Sequence, residues 1–509
     1  MTSNENLFVH FHRRFVEHAD DELLATSEGV SYAYGDIDRI SARIASYLHS
    51  TGAEPGDRVS VQVEKSPANL CLYLACLRAG LIFHPINPGY KSTELGALLR
   101  DAAPAVVVCD AANESAVAEL AARSGTRTVL TLNADGSGSL MKEAADASAD
   151  FGIVPRRNED VAVLLYTSGT TGVPKGIMLT HGNLRSNAEA LTSAWGFDHK
   201  DRLLHALPIH HVHGLFISLG CVLSSGASMR WLSRFAVADV LRYLPECTVM
   251  MGVPTYYTRL LSSPDLTAEI TRNTRLFVSG SAPLLPETFA EFEQRTGHRI
   301  LERYGMTETN VNTANPLNGE RKPGTVGVPL PGVELRIVDD RGDALPTGAV
   351  GHIQVRGPNV FIGYWGRSGD TGRDFTEDGY FNTGDLGMID EDGYLSIVGR
   401  SKDLVITGGL NVYPREVEVV IDAVAGVAES AVIGVPHSDF GEGVVAVVVP
   451  RGRRAPTEDE IIKACKEQLA GFKVPKRVLF ADELPRNVMG KVQKNLLRQT
   501  YEKLFDSGS

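Results

Sequence analysis

The strongest constraint on this chain's fold is an alternation of short apolar runs with stretches of ten or more residues at helical spacing. Residues 34–48 place Ile37, Ile40, Ile44 and Leu48 on one helical face. Residues 58–63 then read as a strand, 66–79 as an apolar helix, 81–85 as a strand, 92–101 as a helix and 105–109 as a strand. Strands joined by helices of this length pair in parallel, and the helices must cover the sheet faces. The pattern resumes with the apolar strand 161–165. It continues through strands 203–207, 228–232, 249–253, 276–279 and 300–304, and helices 181–195, 215–223, 256–261 and 287–296. The Ala-rich segment 110–158 reads as a helix, a peripheral strand and a linker. From about residue 324 the texture changes. Short runs at 334–339, 352–356, 380–385, 387–390 and 394–398, separated by Gly, Pro and Asp turns, predict a small antiparallel sheet. Residues 403–509 read as an α+β module with strands 404–407, 428–435, 443–449 and 477–480 and helices 414–423 and 457–469. The predicted class is α/β. A large N-terminal region of layered α/β subdomains plus a small antiparallel β subdomain spans 1–400. A mobile α+β C-terminal domain spans 401–509, with the polar, glycine-flanked segment 399–403 as the hinge.

At 509 residues the chain has length for two to four folding units and a large core. A net charge of −12 argues against a general nucleic-acid binder, which needs a basic face, and leaves room for a local basic pocket. Cys71, Cys76, Cys109, Cys221, Cys247 and Cys465 form no CxxC or Cys/His pattern and read as buried free thiols in a reducing compartment. No apolar run approaches 18 residues, so no membrane span is predicted. The N-terminus lacks a signal-peptide core and carries Glu5, Glu17, Asp20, Asp21 and Glu22, against a transit peptide. The expected setting is the cytoplasm.

Six stretches carry polar groups where α/β sheets place ligands, in loops after strands. In YTSGTTGVPKG (166–176), small and hydroxylic residues let backbone amides approach an anion, and Lys175 adds a point charge. The alternative is a mobile surface loop. The P-loop pattern is excluded, because glycine follows Lys175 where a magnesium-binding hydroxyl would stand. In SGSAP (279–283), small residues let a flat ring lie against the backbone, or simply form a strand-to-helix turn. In 302–308, Tyr304 can stack on a base, Thr307 can bind phosphate, and Glu308 is either a magnesium ligand or a surface acid. In 382–385, Asp385 either accepts from ribose hydroxyls or sits in a β-turn. His211, in the H-H-V-H run 210–213, is a pocket wall or a core histidine, and no third metal ligand has suitable spacing. Lys491 beside Gly490 is a cation presented by a loop, or solvated charge.

The order and spacing of these stretches resemble the adenylate-forming superfamily of acyl-CoA synthetases, luciferases and peptide-synthetase adenylation domains, over essentially the whole chain. The motifs are YTSGTTGVPKG, SGSAP, YGMTET, NTGDLG, GRSKDLVITGGLNVYPREVE and PRNVMGKV. Within the superfamily, LPIHHVHGLF, MGVPTYYTRLL, LERYGMTETN, VIGVPHSDFGEGV and LPRNVMGKVQKN look most like the bacterial malonyl-CoA synthetases.

The resemblance implies a two-step course: acid and ATP give acyl-AMP and pyrophosphate, then coenzyme A displaces AMP. It implies that Thr167, Ser168, Gly169, Thr170, Thr171, Gly172 and Lys175 hold the β- and γ-phosphates. Thr307 would touch the α-phosphate and Glu308 would bind Mg²⁺. Ser281, Ala282, Pro283, Glu302, Arg303 and Tyr304, with Gly305 and Met306 beside them, would line the nucleotide site; Asp385 and Arg400 would take the ribose. Lys491 would bridge the substrate carboxylate and the α-phosphate. Lys402 would be the hinge, and Gly408, Gly409 and Leu410 would line the CoA tunnel. A malonate substrate keeps a second carboxylate, which needs a buried cation or several donors. Arg259 is the expected cation, one turn into its helix, with Ser279 and His211 as further contacts. Other expectations are a methylmalonate or short-chain acid synthetase, a carrier-loading domain (disfavoured because no carrier segment follows residue 509) and an inactive nucleotide binder. The expected partners are small molecules, with the protein a monomer or weak homo-oligomer.

Overall fold

The computed structural model describes residues 4–167, 174–407, 410–437, 440–452, 454–487 and 490–505. They fall into two compact units, Met1–Glu334 with Arg356–Phe381, and Leu335–Val355 with Asn382–Ser509.

The first unit is built on two sheets. The six-stranded sheet runs Thr128–Thr131, Val106–Cys109, Arg58–Gln62, Ile82–Pro85, Val161–Thr167, Lys175–Thr180. Its pairs are parallel except the last, where Lys175–Thr180 returns antiparallel as a hairpin partner. Helix Pro67–Ala79 is buried almost all round, as its uniformly apolar sequence requires. Ser66 caps it by accepting from the Asn69 N–H at 3.1 Å, and Gly80 ends it at φ 67°. The nine-stranded sheet places Arg202–His205, Val249–Gly252, Leu276–Ser279 and Leu301–Tyr304 side by side, in reverse of that order from the Val328–Pro329 edge. These four are parallel, so their C-terminal ends open on one edge.

In the second unit, strands Glu334–Val338, Gly351–Arg356, Phe381–Ile389 and Leu395–Arg400 form a four-stranded sheet, with the last pair antiparallel. A five-stranded sheet follows, centred on the long antiparallel pair Val427–His437 and Gly441–Pro450. Val432, Val444, Ala446 and Val448 pack on one face with Val417, Ile421 and Ile461; Ala431, Ile433, Val435, Val445 and Val447 pack on the other with Leu484 and Leu497. That is the period-two alternation of a sheet covered on both faces.

Local departures from the sequence reading have physical causes. Segment 110–158 holds two helices, Glu114–Arg123 and Ser139–Ala145, around its strand Thr128–Thr131. The helix expected at 215–223 starts as a π-helical turn, His213–Ser218, in which Gly214 lies so close to the chain that a Cβ would stand 2.1 Å from the Pro208 oxygen. The two runs read at 380–385 and 387–390 are one strand, Phe381–Ile389, with an irregularity between Leu386 and Gly387. Strands Lys175–Thr180 and Leu410–Val412 and helices Ser368–Asp374 and Lys494–Thr500 carry too short or too polar a pattern to announce themselves. Among the described residues, no helix is long and apolar enough to cross a membrane.

Candidate active site

The four parallel strand ends of the first unit gather about half of the expected residues. Gly252, Ser279 and Glu302 stand in register, so the loops that follow start at one level. Ser279 is buried and its Oγ has no hydrogen-bond partner. Gly280 follows, and a Cβ there would meet the Arg303 guanidinium at 2.4 Å. A flat group does lie against this backbone, and it is an arginine of the protein. Ser281 then takes φ +72°, one of three non-glycine residues in the left-handed region among those described. Strain of this kind costs roughly 1–3 kcal/mol and is held by its surroundings. It sets the Ser281 Oγ 3.4 Å from Arg303 Nη2 and 3.3 Å from His213 Nδ1.

Arg303 only donates, so Ser281 accepts from it, and its hydroxyl shares a second hydrogen bond with His213 Nδ1. Burial first, and then the Arg303 charge, hold His213 well below the usual imidazole range, so it is neutral. Among the described residues, His213 Nε2, Arg303 Nε, His210 Nε2 and His211 Nε2 are buried without a partner. Burial pulls His210 down to about 3 and His211 to about 4, so both are neutral. Burial also lowers Arg303 to about 9, which leaves it charged at neutral pH. No carboxylate among the described residues pairs with Arg303. A buried guanidinium without a counter-ion is costly, and an anionic ligand would complete it.

Strand Leu301–Tyr304 sends alternate side chains to opposite faces, so Arg303 parts from Glu302 and Tyr304. All three are expected in the nucleotide site; the structure puts Arg303 beside Ser281, itself expected there, and His213. Period-two phase within the strand separates its side chain from those of Glu302 and Tyr304. Gly305 turns the chain where a Cβ would sit 1.8 Å from the Asn310 oxygen. Met306 and Thr307 follow, half-buried, and the nearly buried Glu308 is tied through its carbonyl to the Phe361 N–H at 2.7 Å. Ala282 is half-buried and Pro283 exposed.

Arg259 lies on the exposed face of helix Pro254–Leu261, which turns Tyr257, Leu260 and Leu261 inward. It makes no ion pair with any described residue, and its charge acts on the neighbouring Tyr256. Thr167 and Lys175 stand opposite each other in the hairpin. Lys175 Nζ lies 4.4 Å from the Tyr364 ring centre and 3.7 and 3.8 Å from Asp370 and Asp374, acids that no sequence pattern singled out. Ser168, Gly169, Thr170, Thr171 and Gly172 lie outside the described residues, as do Gly408 and Gly409.

The second unit assembles its own cluster. Asp385 and Arg400 are cross-strand partners, with Arg400 Nε 2.9 Å from the buried Asp385 carboxylate. Lys491 lies within their field. Burial first, and then Arg400 and Lys402, bring its ammonium down to about 8, against the pull of Asp385 and Asp403. Lys402, in the 3₁₀ turn Ser401–Asp403, is lowered by burial and by Arg400. Leu410 is exposed.

This architecture, parallel strand ends carrying a nucleotide-type loop set and a separate unit carrying a lysine, has known counterparts. Residues 11–365 match the AMP-binding enzyme family, and residues 416–491 match the AMP-binding enzyme C-terminal domain. The chain belongs to the AMP-binding enzyme family. A malonate–CoA ligase of Arabidopsis thaliana is 35% identical over 95% of this chain and 86% of its own. A long-chain-fatty-acid–CoA ligase of Bacillus subtilis is 33% identical over 95% and 92%. The crystal structure of ATP-bound MatB from Rhodopseudomonas palustris is 50% identical, covers 99% of this chain and 100% of its own, and superposes with a TM-score of 0.97. The protein is an AMP-forming acyl-CoA synthetase, an acid–thiol ligase that uses ATP and coenzyme A.

Proposed function

We propose that the acid is malonate and that the protein is a malonyl-CoA synthetase: malonate, ATP and CoA give malonyl-CoA, AMP and pyrophosphate through a malonyl-adenylate. The observation that carries this reading is Arg303, a buried guanidinium with no carboxylate partner among the described residues, beside Ser281 and His213. A monocarboxylate has nothing to offer that charge once its own carboxylate is joined to AMP. A dicarboxylate does, and fork geometry suits Arg to a carboxylate. His213, next to Ser281, adds a further polar group for the same anion. Malonate–CoA ligases among the relatives support the reading; relatives acting on long-chain acids of similar identity do not decide it.

In the first step two anions meet, so positioning and charge neutralisation are the catalytic task. Lys491 as an ammonium lies between the reacting carboxylate and the α-phosphate. Thr307 donates to the same phosphate. Thr167 and Lys175, with the loop between them, hold the departing pyrophosphate. Tyr304 and Glu302, with Ala282 and Pro283, cradle adenine; Asp385 and Arg400 take the ribose. Magnesium enters with ATP, and the residues fit it: a nearly buried carboxylate, Glu308, at a strand-end loop, is the usual protein share of such a site. Bound there, the ion offsets phosphate charge. For the second step the hinge is at Lys402.

Pyrophosphate release measured across malonate, methylmalonate, acetate and benzoate tests this. Malonate should exceed acetate in kcat/KM by about 100-fold or more, since a site built for a polar group rejects the analogue lacking it. Equal rates with monoacids would overturn the assignment. Methylmalonate above malonate would move it by one methyl group.

A further inference from the structure

The loop that carries Lys491 is closed on itself. The Gln493 N–H donates to the Pro485 oxygen at 2.8 Å, and the Asn487 N–H to the Lys491 oxygen at 2.9 Å. The Lys491 N–H donates in return to Asn487 Oδ1 at 3.0 Å. Arg486 and Val492 face each other in an isolated antiparallel bridge. The backbone at Lys491 is therefore fixed to residues 485–487, and its placement depends on what fixes those.

Arg486 does so. One guanidinium nitrogen donates to the Gly490 oxygen, inside the loop, and the other to the carboxylate of Glu429, on strand Val427–His437 of the five-stranded sheet. The arginine fork joins loop and sheet at once, which a lysine point charge does not. Beyond Lys491, Lys494 Nζ bonds the buried Glu418, which also accepts the Val432 N–H at 2.9 Å. That second pair is buried and belongs to the packing of the sheet. The first is half-exposed, with side chains 30% and 27% exposed, and burial pushes the Glu429 carboxyl up against the pull of Arg486, so the net stability it adds is small. Its consequence is geometric.

We propose that Arg486 and Glu429 are positioning residues for Lys491, holding its ammonium where the acid and the α-phosphate meet. This rests on the reading that Lys491 acts in adenylation. A misplacement of about 1 Å in such a group costs about 100-fold in rate.

The test separates the two half-reactions in the full-length enzyme. Adenylation is followed by pyrophosphate release, and thioester formation by CoA consumption from preformed acyl-adenylate. Arg486→Met should lower the adenylation kcat by roughly 30- to 100-fold and Glu429→Gln by about 10-fold, with the KM for ATP little changed. Arg486→Lys, able to reach Glu429 or the Gly490 oxygen but not both, should fall between Arg486→Met and wild type. Thioester formation should stay within about twofold and the melting temperature should hold, as for a half-exposed ion pair. Equal loss of both half-reactions, or no loss of adenylation, overturns the proposal. Lys491→Met, run alongside, distinguishes the failures. If it spares adenylation, the reading of Lys491 is wrong. If it abolishes adenylation while Arg486→Met and Glu429→Gln do not, only the positioning role fails.

Discussion

The two units hold their key cations in opposite ways. Arg303, in the first, is buried at the strand ends with a serine hydroxyl for company and no counter-charge among the described residues. Lys491, in the second, sits half-buried on a loop within the field of two acids, Asp385 and Asp403, and two further cations, Arg400 and Lys402. A buried, unpaired charge is a liability to the folded state and an asset only when a ligand anion completes it. The loop-borne charge is also disfavoured by burial but has acids facing it, and it matters through where it stands. On the proposed reading, the first selects the substrate and the second drives adenylation.

Substitutions that treat the two cations alike would break this contrast. The largest effect is expected at Lys491. Lys491→Met should reduce pyrophosphate release about 1,000-fold and leave CoA consumption from preformed adenylate nearly intact, which a paired half-reaction assay checks. Ser281→Ala interrupts the chain from Arg303 to His213 and should lower kcat/KM for malonate by about tenfold with the KM for ATP unchanged. Lys402→Pro, by fixing φ in the hinge turn, should depress thioester formation several-fold more than adenylation.

The pH profile sharpens the contrast. The Lys491 ammonium has been brought down to about 8, so it is charged below that pH and loses its proton as pH rises through it. Adenylation kcat/KM should therefore fall on the alkaline side from about pH 8, and substrate anions should push the limb upward in kcat. Arg303, lowered only to about 9, should keep malonate binding one unit further. The smallest effect is expected at Arg259. Exposed on its helix, it should change the KM for malonate less on conversion to Leu than any change at Arg303, measured in the same assay.

The layered α/β fold was legible because buried parallel strands and their helices leave strong apolar periods. The strand-end loops were legible too, since Ser279, Ser281, Gly305 and Glu308 are small or polar residues directly after apolar runs. What the pattern did not convey was side-chain phase at single positions. Arg259 read as the pocket cation and Arg303 as part of the nucleotide site; the helix turns Arg259 outward, and the strand buries Arg303 beside Ser281. The acids at 370 and 374 beside Lys175 come from a short polar helix, and their contact with it arises from long-range packing. The ion pair between Arg486 and Glu429 spans 57 residues and has no local signature.

The central claim is that Arg303 receives the carboxylate that malonate keeps. The most direct measurement is the ratio of kcat/KM for malonate to that for acetate, in wild type and in Arg303→Met, with the melting temperature of each ligand-free protein. The account predicts a ratio that collapses by about 100-fold or more in the variant, while the melting temperature holds or rises because an unpaired buried charge has been removed. A ratio that survives the substitution, or that survives it and falls instead in Arg259→Leu, would contradict it.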